Sequence, residues 1–193
     1  MSISTALFSI AAILLAAAIC FIILGLIQKA KEPKAFFTSH AEIEKNIIEI
    51  IKQSKRSIAI AMYNLKNLNI ADELINAKKG REVLVKVVVD AGMAQEERDR
   101  IAKGDKIAEH SALTRLRQNG IEPREIKSAS QELDDEYMHH KFAIFDSEIL
   151  TTGSYNWTYK KGGEGKTYDN IVLIYNPEVI RKYQDEFDRI WKK

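Results

Sequence analysis

Between Glu82 and Asp90 the chain carries Val83, Val85, Val87, Val88 and Val89. Successive side chains of a strand point to opposite faces, so valines at odd and even positions must be covered on both sides. Such a strand belongs to the middle layer of an α/β fold. The flanking segments agree. Ser39 and Glu42 have capping-box spacing, and Ile43, Ile47, Ile50 and Ile51 follow at helical intervals, which predicts an amphipathic helix to about Ser54. Ser57 to Tyr63 reads as a strand with Ile58, Ile60 and Met62 on one face. Ile70 to Lys79 reads as a helix stopped at Gly80.

Met93 to Asn119 is charged and helical in tendency, with a break at Gly104 and a stop at Gly120. Ile121 to Ile126 reads as a short strand, against which Pro123 counts. Ser128 to Glu136 is polar and reads as a loop. Asn170 to Tyr175 is a further strand. Pro177 then opens a helix whose apolar face holds Val179, Ile180, Tyr183, Phe187, Ile190 and Trp191. The expected fold class is therefore α/β, a mixed β-sheet flanked by helices, without an internal repeat.

The amino terminus is different in kind. From Ala6 to Ile27 the only polar residue is Ser9. At about 1.5 Å per residue the run is long enough to cross a hydrocarbon core of roughly 30 Å. No Lys or Arg precedes Lys29, and the apolar core exceeds that of a cleaved signal peptide. Bulky Ile19 also argues against lipoprotein-type cleavage before Cys20. We read residues 1–28 as an uncleaved transmembrane anchor, 29–35 as a linker containing Pro33, and 36–193 as the folded α/β domain. Lys29, Lys31 and Lys34 place that domain on the cytoplasmic side of a single-pass protein. The alternative is a periplasmic or secreted domain released by cleavage. A lone cysteine rules out an internal disulfide framework or a cysteine zinc site. A net charge of +2 does not announce a polyanion partner.

The chemistry-bearing stretch is Met138 to Asn156, read as a buried strand, a turn and a second short strand. Parity puts His139 and Lys141 on one face and His140 on the other. An imidazole beside a fixed cation suits attack on an anionic centre, with Ser154 and Asn156 adding donors a turn later. The order His139, Lys141, Asp146, Gly153, Ser154, Asn156 resembles the HKD motif of the phospholipase D superfamily. Beyond the motif, the element order from about Phe36 to Trp191 is similar to the small single-motif branch. That branch holds bacterial endonucleases and the membrane-anchored mitochondrial cardiolipin hydrolase/nuclease proteins. The cysteine-rich zinc-binding insertion of some animal members is not found here.

The resemblance implies that His139 attacks phosphorus to give a phosphohistidine, while a second motif histidine serves as general acid and base. With one motif per chain, the second His139 must come from another copy, so a homodimer is expected. Lys141 and Asn156 would bind phosphoryl oxygens with support from Ser154, and no metal or other cofactor is called for. Gly153 belongs to the structural part of the motif. Asp146 has the opposite parity from His139 and is assigned a turn-bonding role. Asp169, preceding Asn170, stands where related endonucleases carry a Glu-Asn pair whose Glu bonds the catalytic histidine.

Other features read more plainly. His140 is taken as packed or hydrogen-bonded, and His40 and His110 as surface or loop residues. Gly165-Lys166-Thr167 lacks the first glycine of a P-loop, since Lys160 stands there, and a strand follows it. Lys160, Lys161 and Lys166 form a basic loop that either holds a polyanion or is simply solvated, and Asp134-Asp135-Glu136 counts against a strongly polyanion-attracting surface. Tyr155 and Trp157 are expected to pack rather than to stack on bases. The expected activity is a membrane-anchored endonuclease on DNA or RNA, the alternative a phospholipase D-type hydrolase of cardiolipin or another phospholipid.

Overall fold

The computed structural model describes residues 13–23, 32–38, 42–127, 137–158 and 168–193. The chain divides into two units, Met1–Glu32 and Pro33–Lys193. In the first, residues 13–23 are helical and exposed. Among the described residues no helix is long and apolar enough to cross a membrane. The rest of the apolar run lies outside the described residues, as do Ser39, His40, residues 128–136 and the Lys160 to Lys166 loop.

In the second unit the described residues form a seven-stranded sheet ordered β1-β7-β6-β5-β2-β3-β4. The strands are β1 (Lys34–Phe37), β2 (Ser57–Met62), β3 (Leu84–Asp90), β4 (Arg124–Ile126), β5 (Lys141–Phe145), β6 (Ile149–Gly153) and β7 (Asn170–Ile174). β3 runs parallel to β2 and β4, and the remaining pairs are antiparallel, so the sheet is mixed. β1 takes in Lys34 and Ala35, read from the sequence as linker. They pair with Leu173 and Val172 of β7.

The helices are α1 (Ile43–Gln53), α2 (Leu68–Arg81), α3 (Ala91–Ala102), α4 (Lys106–Glu109), α5 (Ala112–Gln118) and α6 (Pro177–Trp191). Strand parity sorts the core into two layers. Ile58, Ile60 and Met62 of β2, Val87 and Val89 of β3, and Ala143 and Phe145 of β5 pack with α1, α2 and α5. Ala59, Ala61, Val88, Phe142 and Ile144 point the other way, against Ile180, Phe187 and Ile190 of α6. Burying a side chain such as Phe187, which is fully covered, stabilises the fold by about 1.5–3 kcal/mol. Asn176 starts α6 by accepting the backbone N–H groups of Glu178 and Val179, and Pro177 occupies the first turn.

Two expected boundaries differ. α2 runs through Gly80 to Arg81, and the left-handed residue that ends it is Glu82 at φ 57°. The stop is set by the entry into β3, where Val83 N–H bonds Ala77 O and Leu84 N–H bonds Arg56 O, and not by a glycine. The first helix begins at Ile43 without a side-chain cap. Gly104 and Gly120, both at positive φ, do break the charged helical region as expected.

Candidate active site

The sheet brings together the carboxyl ends of β2 and β3, the start of β5, the end of β6 and the start of β7. Ligands of open α/β sheets are commonly held at such carboxyl ends. Lys141 is paired with Met62, and Gly153 with Ile171. Tyr63 extends the β2 ladder by donating its N–H to His140 O at 2.8 Å. Its ring lies edge-on to the His139 imidazole with centroids 4.7 Å apart, and Lys141 Nζ sits 5.1 Å from the centre of the same ring. His139 and Lys141 therefore share a face. His140 is on the opposite face, where its Nε2 meets Glu186 Oε1 of α6 at 2.9 Å.

Lys141 is partly buried. Burial pushes its ammonium below the usual lysine range, and the Asp169 carboxylate pulls partly against that shift. Lys141 Nζ also donates to His139 O at 3.1 Å. The Ser154 hydroxyl donates to Asp169 Oδ1 at 3.1 Å or Asn170 Oδ1 at 3.2 Å, and accepts Asn170 N–H at 3.1 Å. Asp169 thus addresses Ser154 and the charge of Lys141. Among the described residues no hydrogen bond reaches the His139 ring, so the orienting contact expected from Asp169 is not among those formed. The Asn156 Oδ1 is buried without a hydrogen-bond partner, an unusual state for a buried acceptor. Among the described residues there is no group of three or more His, Cys, Asp or Glu placed to hold a metal ion.

Gly153 is required by a close approach. A Cβ there would overlap the Asn170 carbonyl oxygen and lie 2.9 Å from its carbonyl carbon. That carbonyl accepts the N–H groups of Ser154 and Tyr155 at 3.1 and 3.3 Å, which fixes the turn carrying Ser154 and Asn156.

Comparison with known proteins follows the same outline. A family model described as cardiolipin synthase, PLD-like domain, matches residues 47–191. The chain belongs to this phospholipase D-like family. Curated relatives include the mitochondrial cardiolipin hydrolase of Chlamydomonas reinhardtii, 26% identical over 75% of this chain and 55% of that protein. The protein of the same name from Xenopus laevis is 29% identical over 72% of this chain and 57% of its own length. The chain thus spans a little over half the length of these curated relatives. Among solved structures, Nuc from Salmonella typhimurium, a phospholipase D family member, is 26% identical with a TM-score of 0.65, covering 83% of this chain and 95% of that one.

In this phospholipase D-like chain the motif aspartate stands far from the other motif residues. Asp146 follows the carboxyl end of β5, whereas Lys141 opens it. With Ser147 it forms a tight turn in which both residues have positive φ. Its carboxylate accepts the backbone N–H groups of Lys55, Arg56 and Ser57 at 2.8, 2.7 and 2.9 Å. Burial alone would raise this carboxyl. The three backbone donors and the Arg56 charge outweigh burial and hold it below the usual carboxylate range.

Sequence reasoning missed two residues that hold the site. Tyr63 is one. Asp90 is the other: 3% exposed, it caps α3 through Met93 N–H and accepts Met138 N–H at 3.0 Å, fixing the residue before His139. An aspartate closing a valine strand ahead of a helix is a legible N-cap signal, but its bond to residue 138 is not. Tyr155 and Trp157 are buried, and Trp157 O accepts the N–H groups of Lys66 and Asn67. Burial, with the Glu44 charge nearby, pushes the Tyr155 phenol up to about 12.

Proposed function

We propose that this chain is a phosphodiesterase that cleaves DNA or RNA through a phosphohistidine on His139, at a site completed by a second copy of the chain. The observation that carries this reading is the shared face of His139 and Lys141 over Tyr63, beside Ser154 and Asp169. An imidazole nitrogen of His139 attacks phosphorus, and the bond to the leaving oxygen breaks. The charged imidazole of the second copy's His139 gives that oxygen its proton. The same imidazole then takes a proton from water, whose oxygen displaces His139 and breaks the P–N bond.

Lys141 and the Nδ2–H donor of the Asn156 amide take the phosphoryl oxygens, and two copies supply two of each, which offsets the developing charge without a metal. Ser154, bound to Asp169, holds the turn that presents Asn156. Asp169 acts on Lys141 by keeping its ammonium charged.

A second reading, hydrolysis of cardiolipin or another phospholipid, is favoured by the names of the curated relatives. We further propose that the Ala6 to Ile27 run tethers the protein to a membrane with the catalytic domain on the cytoplasmic side. A reporter fused after Lys193 should then be active only in the cytoplasm, and periplasmic activity would reverse the orientation.

The full chain in mild detergent, with EDTA, should cleave single-stranded DNA, duplex DNA or RNA, and His139→Ala should abolish cleavage. Activity lost in EDTA, or retained by His139→Ala, would sink the mechanism. Turnover of cardiolipin vesicles alone would decide for the lipid reading.

A further inference from the structure

A cleft of about 440 Å³ opens directly against His139, with Lys127, Tyr137, His140, Arg189 and Lys193 among its other walls. Its size falls within the roughly 300–1,000 Å³ of small-molecule sites. The cations reach it from separate parts of the chain: Lys127 just after β4, and Arg189 and Lys193 at the end of α6. Among the described residues no acidic side chain lines it. The Glu186 carboxylate, which bonds two of the cleft's lining residues, is engaged with Arg189 at 2.7 and 2.8 Å and with His140 at 2.9 Å. Those hydrogen bonds, Arg189's first, hold Glu186 at about 2, so it is a spent anion at neutral pH. Among the described residues neither Lys127 nor Lys193 has a carboxylate partner. Cations at the end of a helix also complement its dipole. That accounts for Arg189 and Lys193 but not for Lys127, which another element brings to the same cleft.

We propose that this cleft is a phosphate subsite. It holds the phosphate next to the scissile one in a polynucleotide while the scissile phosphate lies on His139 and Lys141. The inference rests on the phosphodiesterase reading above and deepens it. A polynucleotide is a string of phosphates, so a cationic cleft contiguous with the nucleophile adds affinity and sets the register of the strand.

The test uses full-length protein and two soluble substrates, with cardiolipin and phosphatidylglycerol vesicles beside them. One is bis(p-nitrophenyl) phosphate, which carries a single phosphate, and the other is a single-stranded oligonucleotide. Lys127→Ala/Lys193→Ala should lower kcat/KM on the oligonucleotide by about 10-fold or more and leave bis(p-nitrophenyl) phosphate hydrolysis within about 2-fold. Lys127→Arg/Lys193→Arg should restore the difference. In a His139→Ala background, the slope of log affinity for the oligonucleotide against log salt should fall by about 0.7 for the lost phosphate contact.

Equal losses on both substrates, or no loss on either, would overturn the subsite. A loss confined to cardiolipin vesicles, with phosphatidylglycerol vesicles and the oligonucleotide unaffected, would overturn the nucleotide assignment in favour of the second phosphate of a lipid. If wild-type protein hydrolyses none of these substrates, the phosphodiesterase reading fails by itself, and the salt slope still decides the subsite.

Discussion

The phenol ring of Tyr63 touches both chemistry-bearing side chains of the motif, with its centroid 4.7 Å from that of His139 and 5.1 Å from Lys141 Nζ. It directly follows β2 and does not belong to the motif strand, and its backbone N–H is already committed to His140 O. One aromatic wall thus sets the spacing of an imidazole and an ammonium that would otherwise swing independently. Burial, together with the Asp90, Tyr137 and Glu96 groups, keeps the phenol neutral by raising it above the usual tyrosine range.

Tyr63→Phe should keep near-wild-type kcat, because the ring supplies the contact. Tyr63→Leu should lower kcat by about 10-fold or more with a smaller change in KM. Steady-state kinetics on the two variants check this, and equal effects of Phe and Leu would show that the hydroxyl, not the ring, matters.

The charged form of Lys141 is the one that binds a phosphoryl oxygen, so activity should fall as pH rises through its lowered value. Removing the opposing carboxylate removes the charge that props it up. The alkaline limb of kcat/KM in Asp169→Asn should therefore move to lower pH than in wild type. A pH profile in which the limb stays put or moves upward contradicts this coupling.

Asn156 presents a buried acceptor that makes no hydrogen bond. Asn156→Ala deletes that unsatisfied group, so its melting temperature should be unchanged or higher, while activity drops by about 100-fold. Thermal unfolding and kinetics on the same preparation separate the two effects. A variant that is both active and destabilised would show the side chain to be structural.

Asp146→Ala leaves three backbone N–H groups without their acceptor and should cost about 2 kcal/mol in part-exposed surroundings. The Asp146 value is lowered in the folded state. Its stabilisation is therefore fully present above the unfolded carboxylate value of about 3.9 and is lost as pH falls through the lower folded value. Denaturant melts at several pH values should show the gap between wild type and variant closing below about pH 4, and a gap that widens in acid would refute the assignment.

If each site needs two copies of His139, a mixture of wild type with an equal amount of His139→Ala, allowed to exchange subunits, should retain about one quarter of the dimers active. Independent monomers would retain about one half. Single-turnover titration of phosphohistidine in the mixture reads the difference.

The sequence by itself determined the layers and the motif. Valines at both parities in β3 required a covered strand, and the two-residue period separated His139 and Lys141 from His140. These are local properties, fixed by backbone geometry over a few residues. The same period set Asp146 apart from the His139 face, and the fold supplies what that residue bonds: the start of β2, about 90 positions away in the chain.

What the tertiary structure decided are the contacts made across strands. Tyr63 meets His139 because β2 and β5 pair in the register Met62 to Lys141. Asp90 reaches Met138 because β3 lies beside β2, and Asp169 addresses Ser154 because β7 pairs with β6 in the register Gly153 to Ile171. The basic cleft joins the end of α6 to the residue after β4. Each depends on strand order and register, which side-chain periodicity within one segment does not encode. The motif residues were therefore readable from their spacing, and their supporting partners only from the folded sheet.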